Sequence, residues 1–84
     1  PFGIEWPVPV FEIEHIDTSA LSYSRNQLHI ITNIGGGAVL RGFSFPRNEV
    51  SKNKFINIYG QLIEDSYRDI TSVVFDIKRI EKYS

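Results

Sequence analysis

Two histidines and the acidic residues near them are the first candidates for chemistry in this sequence. His15 follows Glu12 and Glu14 and precedes Asp17, and His29 lies in a later apolar stretch. If these two stretches pair as strands, imidazole and carboxylate groups would lie close enough to hold a metal ion. Both histidines alternate with apolar residues, as packed histidines do, and a catalytic histidine needs an activated nucleophile that no motif here supplies. We therefore expect no catalytic residue, no metal site and no cofactor.

A run of three glycines, Gly35 to Gly37, invites comparison with nucleotide-binding loops. A phosphate loop ends in Gly-Lys-Ser/Thr and opens a helix, whereas Gly42 here is followed by Phe43 within a strand-like pattern. The dinucleotide fingerprint fails because the glycine spacing does not match it. We expect a hairpin turn instead, since glycine readily adopts the positive φ that a sharp turn requires.

Cationic and aromatic side chains are concentrated in residues 41–54. This segment has four basic residues and one acidic residue, a net charge of +3, whereas residues 1–40 have −3 and the whole chain has −1. Rings interleaved with cations can stack the bases and contact the phosphates of a single nucleic-acid strand. The alternative, which we favour, is a solvated loop whose lysines protect a strand edge. The candidate interaction surface consists of Trp6, Arg41, Phe43, Phe45, Arg47, Lys52 and Lys54.

The composition restricts both the fold and the function. Ile, Val, Thr and aromatic residues make up 32 of the 84 residues, whereas Ala and Leu make up six. Because β-branched and aromatic side chains suit strands, this balance predicts an all-β fold. The lack of cysteine excludes a disulfide scaffold and an iron–sulfur site, and it favours the cytoplasm while leaving an exported fragment open. No apolar run approaches the roughly 20 residues of a membrane-spanning helix, so we expect no membrane partner.

Alternation of apolar and polar residues predicts where the strands lie. The stretches with this period are residues 10–16, 27–33, 38–45, 55–59 and 70–80. In the first stretch, Phe11, Ile13 and His15 are expected on one face. Gly60 is expected to end the fourth stretch, and residues 62–70 fit either a short strand or a short helical turn.

The chain is expected to form one domain that belongs to a larger protein. Residues 1–9 contain three prolines and predict an extended lead-in to a single β-sandwich domain over residues 10–84. The missing initiator methionine suggests that the sequence comes from a longer chain. Because no long helix is available for a parallel crossover, we expect an antiparallel arrangement of six or seven short strands.

The segment around the three glycines resembles a known family. Residues 28–42 have the sequence Leu-His-Ile-Ile-Thr-Asn-Ile-Gly-Gly-Gly-Ala-Val-Leu-Arg-Gly, 15 of the 84 residues. This looks like a signature of bacterial immunoglobulin-like β-sandwich modules, with one extra residue before Leu40 and phenylalanines where a tryptophan is usual after the second strand. The resemblance implies an antiparallel, non-catalytic sandwich that lies beside other domains. It transfers no binding residue, because the matched positions serve the turn and the core.

These observations lead to one expected function and two alternatives. We expect a non-enzymatic accessory or interaction module of a larger bacterial protein, which packs against neighbouring domains or contacts another protein. One alternative is a single-stranded nucleic-acid-binding β-barrel that uses Phe55 and the candidate interaction surface without Trp6, although a near-neutral chain is an unfavourable polyanion binder. The other is a carbohydrate-binding module, because aromatic rings present flat faces to sugars. Its candidate residues are Trp6, Tyr23, Tyr59 and Tyr67.

Overall fold

The protein has an all-β fold, with its strands in one curled, mixed sheet. The computed structural model describes residues 9–67 and 69–83. The strands are β1 (Phe11–Asp17), β2 (Ile30–Gly35), β3 (Ala38–Gly42), β4 (Phe55–Tyr67) and β5 (Ile70–Lys82). A 3₁₀ turn (Thr18–Ala20) follows β1, and one helical turn, α1 (Arg47–Val50), lies between β3 and β4. Each strand overlaps a stretch of alternating residues, so periodicity located all five correctly.

The order of the strands across the sheet is β1-β4-β5-β3-β2. Neighbours are antiparallel except for β3 and β5, which run parallel from the pair Ala38–Val73 to the pair Arg41–Asp76. The expectation of a wholly antiparallel arrangement is therefore wrong. The parallel pair needs no crossover helix, because β4 itself carries the chain back to the end of the sheet where β3 began.

The structure corrects the expected number of strands and decides between two alternatives for one segment. Five strands are present in the described residues instead of six or seven, and two of them, β4 and β5, have 13 residues each. Of the short strand and the helical turn left open for residues 62–70, the described residues form strand, because β4 continues through Gly60 to Tyr67 and β5 begins at Ile70. Cross-strand pairing of Leu62 with β5 outweighs the weak helical tendency of this segment.

The hydrophobic core lies on one face of the sheet. Ile56 and Ile58 of β4 are fully buried against Phe75 and Ile77 of β5, and β2 and β3 contribute Ile30 and Leu40. Burial of each such side chain contributes about 1.5–3 kcal/mol. Connecting segments, rather than a second sheet, cover this face in the part of the chain that the structure describes. The covering side chains are Leu21, Tyr23, Phe45 and Val50.

The glycine run forms the predicted hairpin turn between β2 and β3. Gly35, Gly36 and Gly37 have φ angles of 88°, 61° and 77°, in the region that residues with a Cβ atom rarely adopt. Nothing lies within 4 Å of a Cβ atom built at any of the three, so the turn uses their backbone freedom rather than their small size.

A bulge in β1 changes which side chains face the core. The register shifts between Ile13 and Ile16, so both isoleucines lie opposite core residues of β4. His15 takes up the extra residue with a φ angle of 59° and points to the opposite face. The expectation that His15 shares a face with Phe11 is therefore wrong, because strict alternation does not survive a bulge.

A second bulge lies where β4 and β5 come close together. Tyr59 pairs with Arg79, whereas Gly60 pairs with Ile77, so Lys78 is an extra residue in β5. A Cβ atom at Gly60 would overlap the backbone carbonyl oxygen of Asp76. Gly60 therefore does not end the strand as expected; its missing side chain allows the two backbones to pass.

Replacement of Gly60 by alanine should destabilise the fold. The added Cβ atom has no space, so Gly60→Ala should lower the free energy of unfolding by about 2–3 kcal/mol, as overpacking does. Urea denaturation followed by far-UV circular dichroism measures this change. Gly36→Asn is the control, because asparagine tolerates a positive φ in the open turn and should cost less than about 1 kcal/mol. Equal losses for the two variants would contradict the close approach at Gly60.

Candidate functional site

Arg41 and Phe43 lie at the end of β3, on the side of the sheet away from the core. The guanidinium carbon of Arg41 is 5.1 Å from the centre of the Phe43 ring, close enough for a cation–π contact. The Phe43 ring also meets His29 edge-on, with 5.4 Å between the ring centres. Phe43 is 55% exposed, which leaves much of its ring open to solvent. These two residues of the candidate interaction surface are therefore in contact.

A buried carboxylate neutralises the positive charge near Arg41. Asp76 is 8% exposed, its carboxylate lies 2.9 Å from Nζ of Lys78, and Nε of Arg41 lies 3.8 Å away on the other side. At 3.8 Å the Arg41 contact is an ion pair without a hydrogen bond, and that buried Nε has no hydrogen-bond partner among the described residues. Arg41 therefore serves the structure of the sheet as well as its surface.

The remaining members of the candidate interaction surface lie in separate local contacts. Phe45 packs against the core, and Arg47 lies over the Tyr23 ring at 5.8 Å. Lys52 pairs with Glu49 at 3.3 Å in an exposed ion pair. The structure thus gives these side chains different neighbours instead of aligning them along one groove. Trp6 lies outside the described residues.

Lys54 and Phe55 belong to an aromatic cluster around the β1 bulge. Nζ of Lys54 is 5.5 Å from the centre of the Phe55 ring, and the Phe55 ring stacks on His15 with 4.2 Å between centres. The ring of Tyr83 lies 4.7 Å from His15 on a tilted plane. The backbone N–H of His15 donates to Oδ1 of Asn57 at 3.0 Å, which holds the strained bulge. Packing against aromatic rings is thus the role of His15 in this structure.

The two histidines do not assemble the metal site that their spacing suggested. His15 is packed between rings, and Nδ1 of His29 accepts a hydrogen bond from the backbone N–H of Ser44 at 2.9 Å. Within residues 9–67 and 69–83, no three His, Asp or Glu side chains are grouped as metal ligands would be.

Among the carbohydrate-binding candidates, Tyr59 and Tyr23 have their rings in intramolecular contacts. The Tyr59 hydroxyl donates to Oε2 of Glu12 at 2.7 Å, and the guanidinium carbon of Arg79 lies 4.2 Å from its ring centre. The hydrogen bond to Glu12 is the main reason that the pKa of Tyr59 is raised. Burial raises the pKa of Tyr23, which packs against the core. The side chain of Tyr67 and all of Trp6 lie outside the described residues.

The core face of the sheet has an uncovered apolar stripe that the sequence analysis did not identify. Phe11 pairs with Gly60, two residues from Leu62 on β4. Leu62 in turn pairs with the buried Phe75, two residues from Val73 on β5. Together with Ile13 these side chains form what we call the apolar stripe, with exposures of 44% for Phe11, 37% for Ile13, 50% for Leu62 and 45% for Val73.

The sequence pattern predicts part of the apolar stripe. Phe11 and Ile13 were assigned to one strand face, and Val73 alternates with Phe75 and Ile77 in the last predicted strand. The two connecting segments that pack on this face, residues 18–29 and 43–54, cover only one end of it. The stripe is indicated when one face of the sheet has more apolar residues than the connecting segments are long enough to cover.

No family model, curated protein or solved structure matches this chain. In the part of the chain that the structure describes, no helix has the length and apolar character to cross a membrane. The assignment of a role therefore rests on the surface features described above.

Removal of the charge on Asp76 should weaken the fold. Asp76→Asn leaves Arg41 and Lys78 without their partly buried counter-charge, and we expect a loss of about 1–2 kcal/mol in the free energy of unfolding. Chemical denaturation at low and high salt measures it. Glu81→Gln is the control, because the exposed pair of Glu81 with Arg79 should contribute less than about 1 kcal/mol. A neutral or stabilising Asp76→Asn would show that the pair does not support the sheet.

Acid should remove a stabilising contribution from Asp17. The side-chain O–H and backbone N–H of Ser19 both donate to this carboxylate, and they lower its pKa below the ordinary value. Because the folded pKa is lowered, the contribution is present above about pH 4 and is lost as the pH falls further.

The stability difference between the wild type and Asp17→Asn should accordingly be largest near neutral pH and shrink below about pH 4. Thermal melts from pH 7 to pH 2.5 measure this difference, and other titrating groups cancel in the comparison. Ser19→Ala is the control, since it removes the hydroxyl donor and should weaken the pH dependence. A difference that stays constant with pH would contradict the lowered pKa.

Proposed function

We propose that this domain is a non-enzymatic interaction module that docks onto a neighbouring domain or another protein through the apolar stripe. The supporting observation is the stripe itself, four partly exposed apolar side chains that continue the core face beyond its cover. Contiguous exposed apolar surface of this kind marks interaction sites. A partner seated on the stripe would extend the core, because Leu62 already lies beside the buried Phe75.

The polar surface supports a docking role more than the two alternatives. Lys52 pairs with Glu49, Asp76 lies between Arg41 and Lys78, and Arg79 covers Tyr59. These cations and rings already have partners within the chain, whereas a single-strand groove or a sugar platform needs them free. The apolar stripe, by contrast, has no cover among the described residues.

The resemblance of residues 28–42 to bacterial immunoglobulin-like modules supports the same role. Those modules are accessory domains of larger proteins, and that role is what we carry over to this chain. The parallel pairing of β3 with β5 and the single described sheet differ from an antiparallel sandwich, so the proposal does not depend on that architecture.

Photo-crosslinking tests the docking role. Benzoylphenylalanine at position 11 places a reactive ring in the stripe, and position 43 is the matched control with another exposed phenylalanine. In the cells that produce the protein, irradiation should give one discrete adduct from position 11, either within the parent chain or to a second protein. Val73→Lys should abolish this adduct, because docking would bury an unpaired charge.

The Val73→Lys variant should itself fold, since a half-exposed position tolerates lysine with a stability change of about 1 kcal/mol or less. Adducts from position 43 alone would favour the basic, aromatic surface over the stripe. Absence of an adduct from position 11 would contradict the proposed function.

A further inference from the structure

Beyond Gly60, no strand of the described residues pairs with the outer edge of β4. β1 pairs with β4 only as far as Phe11 and Gly60, whereas β4 continues from Gln61 to Tyr67 with β5 on its other side. Among the described residues, no strand pairs with residues 61–67 on the side that β1 would occupy. An edge of this kind presents unpaired N–H and C=O groups, which are the template for addition of another strand.

Other edges of the sheet are less suited to strand addition. The outer edge of β1 is interrupted by the bulge at His15, and Pro9 precedes the strand. Bulges and prolines are ordinary means of blocking an edge. The outer side of β2 is in part occupied, because Ile31 donates its backbone N–H to Ser22. Residues 61–67 instead form a regular run of seven residues that pair in register with β5.

The outer edge of β4 has one apolar side chain on each face, followed along the strand by acidic side chains. Leu62 and Ile63 point to opposite faces and are 50% and 37% exposed, so an added strand would find an apolar neighbour on each side. Glu64 and Asp65 follow them on the same strand, and Asp69 lies in the turn. Residues 64–69 also include Arg68, so this end of the hairpin has a net charge of −2, which favours an added strand with basic side chains.

We propose that the β4 edge accepts, as an added strand, an extended segment of a partner protein in which two consecutive basic residues lie next to two consecutive apolar residues. The backbone of residues 61–67 supplies the hydrogen bonds, Leu62 and Ile63 supply apolar contacts, and Glu64 and Asp65 pair with the basic side chains. This use of the backbone edge goes beyond the proposed docking through the apolar stripe.

A second copy of this chain is a poor occupant of the same edge. Antiparallel pairing of two such edges about their middle would bring the Glu64 carboxylates of both copies together, with Asp65 beside them. Like charges directly opposite each other destabilise a strand pair. The charge of the edge therefore selects a basic partner strand over self-association.

A synthetic peptide serves as the probe for this edge. Labelled acetyl-Thr-Thr-Lys-Lys-Val-Val-Thr-amide, which places its lysines opposite Glu64 and Asp65 and its valines opposite Leu62 and Ile63 when it pairs antiparallel, should bind the full chain in a fluorescence anisotropy titration. The counterpart with glutamates in place of the lysines should not bind. Hydrogen exchange should slow at the alternate amides of residues 61–67 that do not bond to β5 when the peptide binds. N-methylation of the backbone nitrogens on one edge of the peptide should weaken binding roughly tenfold, and on the other edge it should not, because one edge donates to β4.

Variants of the protein separate this proposal from simple charge attraction. Glu64→Gln and Asp65→Asn should each weaken binding by roughly two- to fivefold. Glu14→Gln is the matched control, since it removes an exposed carboxylate of β1 and should leave the affinity unchanged. Equal weakening by all three variants, or equal binding of both N-methylated peptides, would overturn the proposal.

Prior occupation of the edge, or absence of peptide binding, would also overturn the proposal. Slow exchange, before any peptide is added, of those amides of residues 61–67 that do not bond to β5 would show that the edge is already occupied, by residues 1–8 or by a second copy. Light scattering distinguishes these two occupants. Absence of peptide binding would assign Glu64 and Asp65 to protection against aggregation. Each of these failures leaves crosslinking at position 11 unaffected, so the proposed function is tested separately.

Discussion

The shape of the sheet depends on the close contact between Gly60 and the backbone of β5 at Asp76. The missing side chain allows the strands to approach, and the extra residue Lys78 is accommodated in the bulge. This contact divides the long hairpin into two halves. The half from Phe55 to Gly60 pairs with β1, whereas the half from Gln61 to Tyr67 carries the exposed Leu62 and an outer edge with which no described strand pairs.

The positions of the strands follow from local periodicity, but their neighbours do not. Alternation located β1 and β5 within a few residues, because one buried face imposes a period of two. It carries no information on which strand lies beside which, so the parallel pair of β3 and β5 was not foreseen. The errors at His15 and Gly60 both lie at bulges but differ in cause. The extra residue in β1 reverses the alternation expected for His15, whereas Gly60 allows a close approach of two backbones, which the sequence does not distinguish from a strand end.

The candidate site shows the same division between local pattern and tertiary contact. The sequence drew attention to residues with reactive or charged groups, such as Arg41 and His15. In the fold Arg41 lies beside Asp76, and His15 packs against Phe55. The charged and aromatic groups of these residues are therefore largely engaged in contacts within the same chain. The groups that stay available for a partner are the apolar side chains of the stripe and the backbone groups of the β4 edge. Residue types alone do not identify them, because their exposure depends on where β1 and the connecting segments end.

The position of β5 in the sheet has a consequence for how the protein is made. β5 comes last among the described strands, yet it lies at the centre of the sheet between β4 and β3. While the chain leaves the ribosome, β1 has no partner until β4 emerges, and the hairpin of β2 and β3 is separated from the rest until β5 emerges. Completion of the central strand, rather than the appearance of successive strands, therefore determines when this sheet can assemble.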